Sequence, residues 1–533
     1  MAIPSIAMIP SGYKANKVYS VLPTDGSGDL DFARTTKATR VNQNGLIENV
    51  GNNVPCLDYK DGSCPSLLLE PTSRNLITHS EAFANSYWTK SGVSIEGDAS
   101  TAGVEQVTNG DFATDTNWGK GTGMTISGGA LRALNCVENT SLNQTGLSLD
   151  VNKTYIVTFT ISNYVSGGII VRFPFSNTNI ISGNGTFTVT GTPDQSQSSL
   201  LFQSKGSNST FDIDNVILKE VQGFSAPSVD SPLGAFKLVE DTSTGEHKTR
   251  TLGAVTVLSG YRTISYYVKY IDAQWVYVFD DWNGNGGYFD ILNGVVGSHN
   301  SDSTNIESLG VDWYRVSITK TNTQTTSYPS LSLANGNNSN SYTGDGTSGV
   351  YIFGAQLEAQ SYATSYIPTA GTTISRTADS ASKSGISSLI NSTEGVLYAE
   401  MSALYDDGTA RSISLNSGSS SNRVTIQFRA LTGQIITAIV SGGVAQTIMP
   451  FTISQTADFI KIALVYKVND FSLYVNGVEV GTDSSGITFP TGVLNSVNFD
   501  NGSGSEDFYG KVKDLRVYNT ALTDQELAAL TQV

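Results

Sequence analysis

Charge is scarce in this chain. Only 15% of its 533 residues are Asp, Glu, Lys or Arg, against about 25% in an ordinary soluble domain. What charge there is leans acidic, for a formal net charge of -16. So few Lys and Arg residues leave little to neutralise a phosphate backbone, which argues against a nucleic-acid partner and against an anionic membrane surface. Cysteine is limited to Cys56, Cys64 and Cys136, too few for a disulfide framework. Cys56 and Cys64 lie close together in the chain, and two free thiols are favoured over a bridge. Cys136 is expected to pack inside a core. No apolar run approaches the length of a membrane-spanning helix, so no membrane insertion is expected. The first basic residue is Lys14. The start therefore lacks the positive region of a secretory signal, and synthesis and use without export is the expectation.

Catalytic signatures are equally thin. His79, His247 and His299 are scattered, with no metal-ligand spacing and no His-Glu-x-x-His. There is no Gly-x-Ser-x-Gly elbow and no phosphate-cradling Gly-Lys-Ser/Thr loop. No catalytic residue, no cofactor and no metal site is assigned. Asp280-Asp281-Trp-Asn283-Gly-Asn285 has the look of a calcium loop, but it lacks the later bidentate Glu and reads as a solvated turn.

Long helical periodicity is missing too. In its place stand short runs rich in Val, Ile, Thr, Tyr and Phe, such as Thr154–Ile161, Thr263–Tyr270, Trp313–Thr319 and Phe471–Val475. Clusters of Gly, Asn, Asp and Ser separate them, and this spacing predicts β-sandwiches. Asn476-Gly477 followed by Val478-Glu-Val480 is a two-residue hairpin signal. One helix is expected, at the end of the sequence, where Thr523-Asp-Gln-Glu526 reads as a capping box and Leu527 and Leu530 form an apolar edge.

The length suggests three or four domains, and internal repeats suggest their arrangement. Phe83-Ala-Asn-Ser-Tyr-Trp-Thr-Lys90 is echoed by Phe112-Ala-Thr-Asp-Thr-Asn-Trp-Gly-Lys120, and Phe211–Val221 by Tyr351–Glu358. The order is opening, opening, closing, closing, with the second opening too soon after the first for a sandwich to have finished. Residues 104–222 are therefore read as a jelly roll inserted into an outer jelly roll of 76–103 plus 223–375. Three tandem sandwiches would leave 223–375 without an opening strand. The segment Thr369–Asp379 looks like a linker, and a further domain is expected over 385–533. Residues 1–75 are rich in turns and read as a region of their own, beginning with an extended arm that packing elsewhere must order. The fold class is thus all-β: several jelly-roll or β-sandwich domains, one inserted in another, after an extended N-terminal region.

The densest aromatic cluster is Gln274-Trp-Val-Tyr-Val-Phe-Asp-Asp-Trp-Asn-Gly-Asn-Gly-Gly-Tyr-Phe289. On a strand, alternate residues share a face. Trp275, Tyr277 and Phe279 then lie opposite Val276 and Val278. Trp282 and Tyr288 flank a Gly/Asn turn and are expected to be exposed. An aromatic ring covers the C–H face of a sugar, while carboxylates and amides bind its hydroxyls. Trp282, Tyr288, Asp281 and Asn283 are therefore the candidate glycan contacts. The competing reading makes Trp275 core and Trp282 an edge cap. Trp88 and Trp118 occupy matching repeat positions and read as core plugs.

Several strings carry a family resemblance. Phe32-Ala-Arg-Thr-Thr-Lys-Ala-Thr-Arg-Val-Asn-Gln-Asn-Gly-Leu-Ile-Glu48, Asn53-Val-Pro, and Leu67-Leu-Leu-Glu-Pro-Thr-Ser-Arg-Asn-Leu-Ile77 running into Ser80–Trp88 resemble the N-terminal region of tailed-phage virion proteins. Trp313–Ser317, Gly354–Glu358 and Tyr366–Thr369 fit the same pattern. Such proteins are head fibres, head spikes, tail fibres or decoration proteins. The resemblance implies a virion-surface location after synthesis in the host cytoplasm, attachment to capsid or tail proteins through the N-terminal region, and a homotrimer, with a dimer as alternative. Asn109-Gly-Asp-Phe112, Trp118 and Asp212–Val216 resemble family 4/9-type carbohydrate-binding modules. In that family an acidic residue near the opening and an Asp near the closing often hold calcium. Asp214 matches the closing position, Ala113 stands at the usual acidic one, and Asp111 could substitute for it. Phe459–Tyr466, Tyr474–Val478, Phe508–Tyr518 and the terminal helix resemble concanavalin A-like, laminin-G-like sandwiches. Glycosidases of that class carry Glu-x-Asp-x-x-Glu on one strand, and 385–533 has no such run. These strings point to a structural and adhesive phage-surface protein with weak, multivalent glycan contacts. A bacterial surface or secreted glycan-binding protein and a polysaccharide-degrading enzyme remain as alternatives.

Overall fold

The computed structural model describes residues 2–97, 103–149, 155–173, 180–191, 198–220, 223–231, 233–282, 284–310, 312–429, 433–454 and 458–533. It is an all-β chain of stacked sheets with one helix among the described residues.

The outer sandwich has two sheets. One runs in the order Trp88–Ser91, Thr244–Thr251, Pro329–Ala334, Trp275–Asp280, Asn285–Asp290, Val295–His299. The other runs Val93–Glu96, Phe236–Glu240, Gly349–Glu358, Gly260–Tyr270, Trp313–Asn322, Ser303–Gly310. Their inward alternating residues, including Val276, Val278, Phe289, Leu331, Ile264 and Ile352, make one core. Between Val93–Glu96 and Phe236–Glu240 the chain builds a separate sheet, in the order Gly119–Lys120, Ser141–Thr145, Ser199–Glu220, Ala130–Cys136, Met124–Ser127. The long strands Tyr155–Phe173 and Ser199–Glu220 pair through repeated register shifts. Bulges of this kind bend strands, and the bent pair closes over a second core that includes Cys136.

The two aromatic openings share one local design. Trp88 donates its indole N–H to the His79 carbonyl at 2.9 Å, and Trp118 donates to the Asn109 carbonyl at 2.9 Å. Each carbonyl lies nine residues upstream. Phe83 and Phe112 pack against these indoles at centroid distances of 4.9 and 5.2 Å. Both tryptophans are buried.

The terminal sandwich recruits the beginning of the chain. One sheet runs Val478–Asp483, Phe471–Val475, Ile460–Lys467, Glu394–Ala403, Gly510–Tyr518, Ser66–Leu69, Cys56–Asp58, and Ile6–Met8 also pairs with Gly510–Tyr518. The other begins Tyr13–Lys14, Lys17–Val18, Leu30–Ala33, Ser380–Ser384 and ends at Val444–Thr452. Residues 1–75 are thus not a region of their own. Ile6, Met8, Val18, Leu30, Phe32, Leu57, Leu67 and Leu69 enter the same core as Leu397, Ile426 and Val517. Three- and four-residue strands between prolines and glycines look like loops in a sequence, and only distant partners make them sheet. The boundary at 385 also moves, because Ser380–Ser384 is a strand of this sandwich. Asn476 and Gly477 have φ of 48° and 86° and turn the expected hairpin. The helix Asp524–Thr531 carries both hydrogen bonds of the capping box and lays Leu527 and Leu530 on Tyr398, Tyr474 and Tyr518.

A buried polar junction ties the two large sandwiches together. The hairpin Ala38–Val41 and Ile47–Val50 packs Val41 and Ile47 on Tyr267, Trp313, Phe353 and Tyr366 of the outer sandwich. The expected linker is itself strapped down, since Ile374–Arg376 pairs with Ser73–Asn75. Arg34 reaches Asp379 at 3.0 Å with both side chains at 0–1% exposure. Arg34 also donates to the carbonyls of Thr36, Gly51 and Val54 at 2.8–2.9 Å. Arg376 pairs with Glu70, and Ser73 donates to Glu358 at 2.6 Å. Asn75 donates to the carbonyls of Ala355 and Ile367. Arg34, Glu70 and Ser73 of the N-terminal strings thus meet Glu358, Arg376 and Asp379 in this junction. Buried charges require such pairing, because an unpaired one is strongly destabilising.

Cys56, Cys64 and Cys136 are free thiols. Cys56 is buried at the junction, where burial first and the nearby Asp379 carboxylate second push its thiol up to about 12. Cys64 is exposed. No helix among the described residues is long and apolar enough to cross a membrane.

Candidate functional site

The strand Trp275–Asp280 alternates as its sequence requires. Val276 and Val278 enter the core, and Trp275, Tyr277 and Phe279 face outward. The neighbouring strand places Tyr288 opposite Tyr277 and Gly286 opposite Phe279. The Tyr277 ring therefore stacks on both Phe279, at 4.6 Å and 17°, and Tyr288, at 4.3 Å and 25°. A Cβ on Gly286 would run into the Tyr277 hydroxyl and ring, so the ladder needs glycine there. Burial, with Tyr288 and Glu246 close by, pushes the Tyr277 hydroxyl up to about 12.

Tyr288 is corrected by this register. Its ring is 7% exposed rather than open beside a turn, because Tyr277 covers one side. Its hydroxyl donates to the Asn340 side-chain oxygen at 3.0 Å, and Asn340 donates to Glu246 at 3.1 Å. Tyr288 is thus a supporting rung with only its polar end linked outward.

Trp282 is 64% exposed. Its ring centroid lies 6.0 Å from that of Tyr328. Asp280 pins both: it accepts from the backbone N–H groups of Trp282 at 3.3 Å and Tyr328 at 2.9 Å. Its other oxygen accepts from Ser327 at 2.8 Å and pairs with buried Arg262 at 3.3 Å. Asp281 faces outward instead. It pairs with Lys248 at 2.7 Å and Arg250 at 3.2 Å. Lys248 also reaches Glu246 at 2.7 Å and sits 5.4 Å from the Phe279 centroid. The Arg250 guanidinium lies 5.0 Å from the Tyr328 centroid. Burial pulls the Lys248 ammonium down, but hydrogen bonds to Asp281 and Glu246 outweigh it, for a net shift upward. Asn283 lies outside the described residues.

The result is an aromatic platform edged by two cations and two carboxylates that balance. Such a face suits a hydroxyl-rich ligand: rings for C–H surfaces, and paired charges that donate and accept without imposing one sign. Of the four candidates, Asp281 and Trp282 lie on this face and Tyr288 lies beneath it. Glu246, Lys248, Arg250, Tyr328 and Asn340 were not singled out from the sequence. The alternation Glu246-His-Lys248-Thr-Arg250 was a readable strand signal, but nothing local tied it to residue 281.

Asp111 and Asp214 each cap their own turn, accepting from the amides of Ala113 at 3.3 Å and Asn215 at 2.6 Å. Among the described residues no group of three or more His, Cys, Asp or Glu side chains could hold a metal ion.

Residues 398–528 match the concanavalin A-like lectin/glucanases superfamily. This match covers the later part of the terminal sandwich. Curated protein sequences give no match. Among solved structures, the chain is similar to the Ruminococcus gnavus IT-sialidase CBM40 bound to alpha2,3 sialyllactose, at 18% identity and TM-score 0.23, covering 26% of this chain and 83% of that one. It is similar to the CBM22-1-CBM22-2 tandem of Paenibacillus barcinonensis Xyn10C at 14% identity and TM-score 0.21, covering 50% and 100%. It is also similar to mouse laminin alpha1 domains LG4-5 at 12% identity and TM-score 0.19, covering 76% and 91%. At TM-scores this low, the superpositions do not bear on what the chain binds.

Proposed function

We propose that this chain is a structural and adhesive protein on the surface of a tailed-phage particle, as a head fibre, decoration or tail-fibre component, and that it contacts glycans weakly and in many copies. The observation that carries the adhesive part is the platform of Trp282 and Tyr328 beside the paired charges of Asp281, Lys248, Arg250 and Glu246. The strings of the polar junction support the virion part through their resemblance to phage proteins. Attachment to capsid or tail proteins would use the N-terminal segment, from which Ile3, Ile9, Tyr19 and Val21 are exposed. The particle would carry the chain as a homotrimer or dimer, made in the host cytoplasm. Weak contacts repeated on one particle then act at high effective concentration.

Two experiments test this reading. Gold-labelled antibody against the terminal sandwich is expected to decorate intact particles, on heads or on tails. Label only on bacterial cells or in the medium would replace the virion reading with a bacterial glycan-binding protein. Trp282→Ala is expected to lower glycan-array binding of the full chain at least tenfold while leaving its unfolding temperature unchanged. Release of reducing ends from a polysaccharide by the purified chain would establish an enzyme in place of a non-catalytic adhesin.

A further inference from the structure

The outer and terminal sandwiches do not close completely on each other. Beside the polar junction lies a cleft of about 550 Å3, within the range of roughly 300–1,000 Å3 common for small-molecule sites. Its walls are unlike an ordinary interdomain seam. Ser317 and Thr319 line it from the outer sandwich, and both are buried. Tyr362, from the segment after the Gly349–Glu358 strand, and Tyr405, from the terminal sandwich, bring their rings to 6.0 Å and 30°. Hydroxyls and tyrosine rings around a void make a polar site with aromatic sides.

Among the described residues the buried charges of the cleft are matched, with one exception; Asp458, which is exposed, lines it without an ion pair. Lys60 pairs with Glu307, and Lys511 pairs with Asp58 at 3.5 Å and with Asp61. Arg40 pairs with Glu48 at 2.7 Å. Arg315 is only 7% exposed. It donates to the Thr364 carbonyl at 2.5 Å and the Ser265 hydroxyl at 3.1 Å, and its guanidinium lies 5.2 Å from the Tyr267 centroid. Its Nε has no hydrogen-bond partner. Among the described residues no carboxylate lies within ion-pair distance of it. A buried cation without a counter-charge is costly, and a ligand carboxylate would relieve that cost through charge-assisted hydrogen bonds.

We propose that this cleft is a second binding site, for a short acidic saccharide whose carboxylate pairs with Arg315 and whose ring lies against Tyr362 and Tyr405. Because Tyr405 comes from the terminal sandwich and Arg315 from the outer one, the ligand bridges the two. This site stands apart from the aromatic platform and does not depend on it.

The test is calorimetric titration of the full chain with α-1,4-trigalacturonate and with α-1,4-galactotriose, its neutral counterpart. The acidic sugar is expected to bind at least tenfold more tightly. Tyr405→Ala and Arg315→Lys, each checked for a native circular-dichroism spectrum, are expected to weaken it tenfold or more, whereas Val444→Ala, at an exposed position outside the cleft, leaves it unchanged. Equal affinity for the two sugars, no heat with trigalacturonate at millimolar concentration, or loss of binding in Val444→Ala alone would each overturn the proposal. The comparison of the two sugars on the unaltered chain holds even where a variant fails to fold.

Discussion

Asp379→Ala probes the polar junction most directly. The wild-type carboxylate takes Arg34 at 3.0 Å through one oxygen and the Glu70 amide at 2.8 Å through the other. Its removal leaves a guanidinium at 0% exposure without a counter-charge, which costs about 3–5 kcal/mol. With a urea dependence of about 2–3 kcal/mol per molar, the midpoint falls by about 1–2.5 M. Arg34→Met is expected to cost a similar amount, since it strips donors from three backbone carbonyls. The double variant should cost less than the sum by about 1–3 kcal/mol, because the second change then removes a group already without its partner. The assay can resolve which part unfolds. Trp88, Trp118, Trp275, Trp282 and Trp313 all lie outside the terminal sandwich, so tryptophan fluorescence follows the outer sandwich and insert while far-ultraviolet circular dichroism follows every sheet. The variant is expected to lower the dichroism midpoint first and to separate two transitions. A shift under about 1 kcal/mol, or strict additivity in the double variant, would refute the claim that this pair is a coupled buried unit.

Three further outcomes follow from the geometry. Gly286→Ala places a Cβ against the Tyr277 hydroxyl, so the Tyr277–Tyr288 stack must open; thermal unfolding should show a loss of about 1–3 kcal/mol. In the native chain, a chromogenic disulfide reagent at pH 8 should find one fast thiol, Cys64, and reach all three only in denaturant, because Cys56 is buried with its thiol pushed up to about 12. Thr523→Ala removes the hydroxyl that accepts from the Glu526 amide and should cost about 1 kcal/mol, read as fraying of the last helix by hydrogen exchange.

The parts legible from the sequence were those whose signals are local. Alternation over 275–279 separated inward valines from outward rings, because a strand repeats every two residues. The Thr523–Glu526 box and the Asn476-Gly477 turn are each complete within a few residues. Signals needing a distant partner were lost. Ile6–Met8 is three residues between Pro4 and Pro10, and nothing nearby says that its partner is Leu515–Val517. Tyr288 looked open because Gly286 and Gly287 precede it, whereas strand register sets it under Tyr277. Arg250 and Asp281 meet only because their two strands flank Pro329–Ala334, an order no stretch of sequence spells out.

The pairing of Ile6–Met8 and Ser66–Leu69 with Gly510–Tyr518 has a temporal side. A ribosome adds roughly 5–20 residues per second. The early strands therefore wait on the order of 25–100 s before their partner is made. During that interval the insert and much of the outer sandwich can close on contacts of their own, while apolar side chains such as Ile6, Met8, Leu67 and Leu69 remain uncovered. The terminal sandwich thus matures only once Gly510–Tyr518 has been made, after the insert and the outer sandwich have had time to close. A product that stops before Gly510 would carry an unfinished, adhesive sheet edge prone to aggregation.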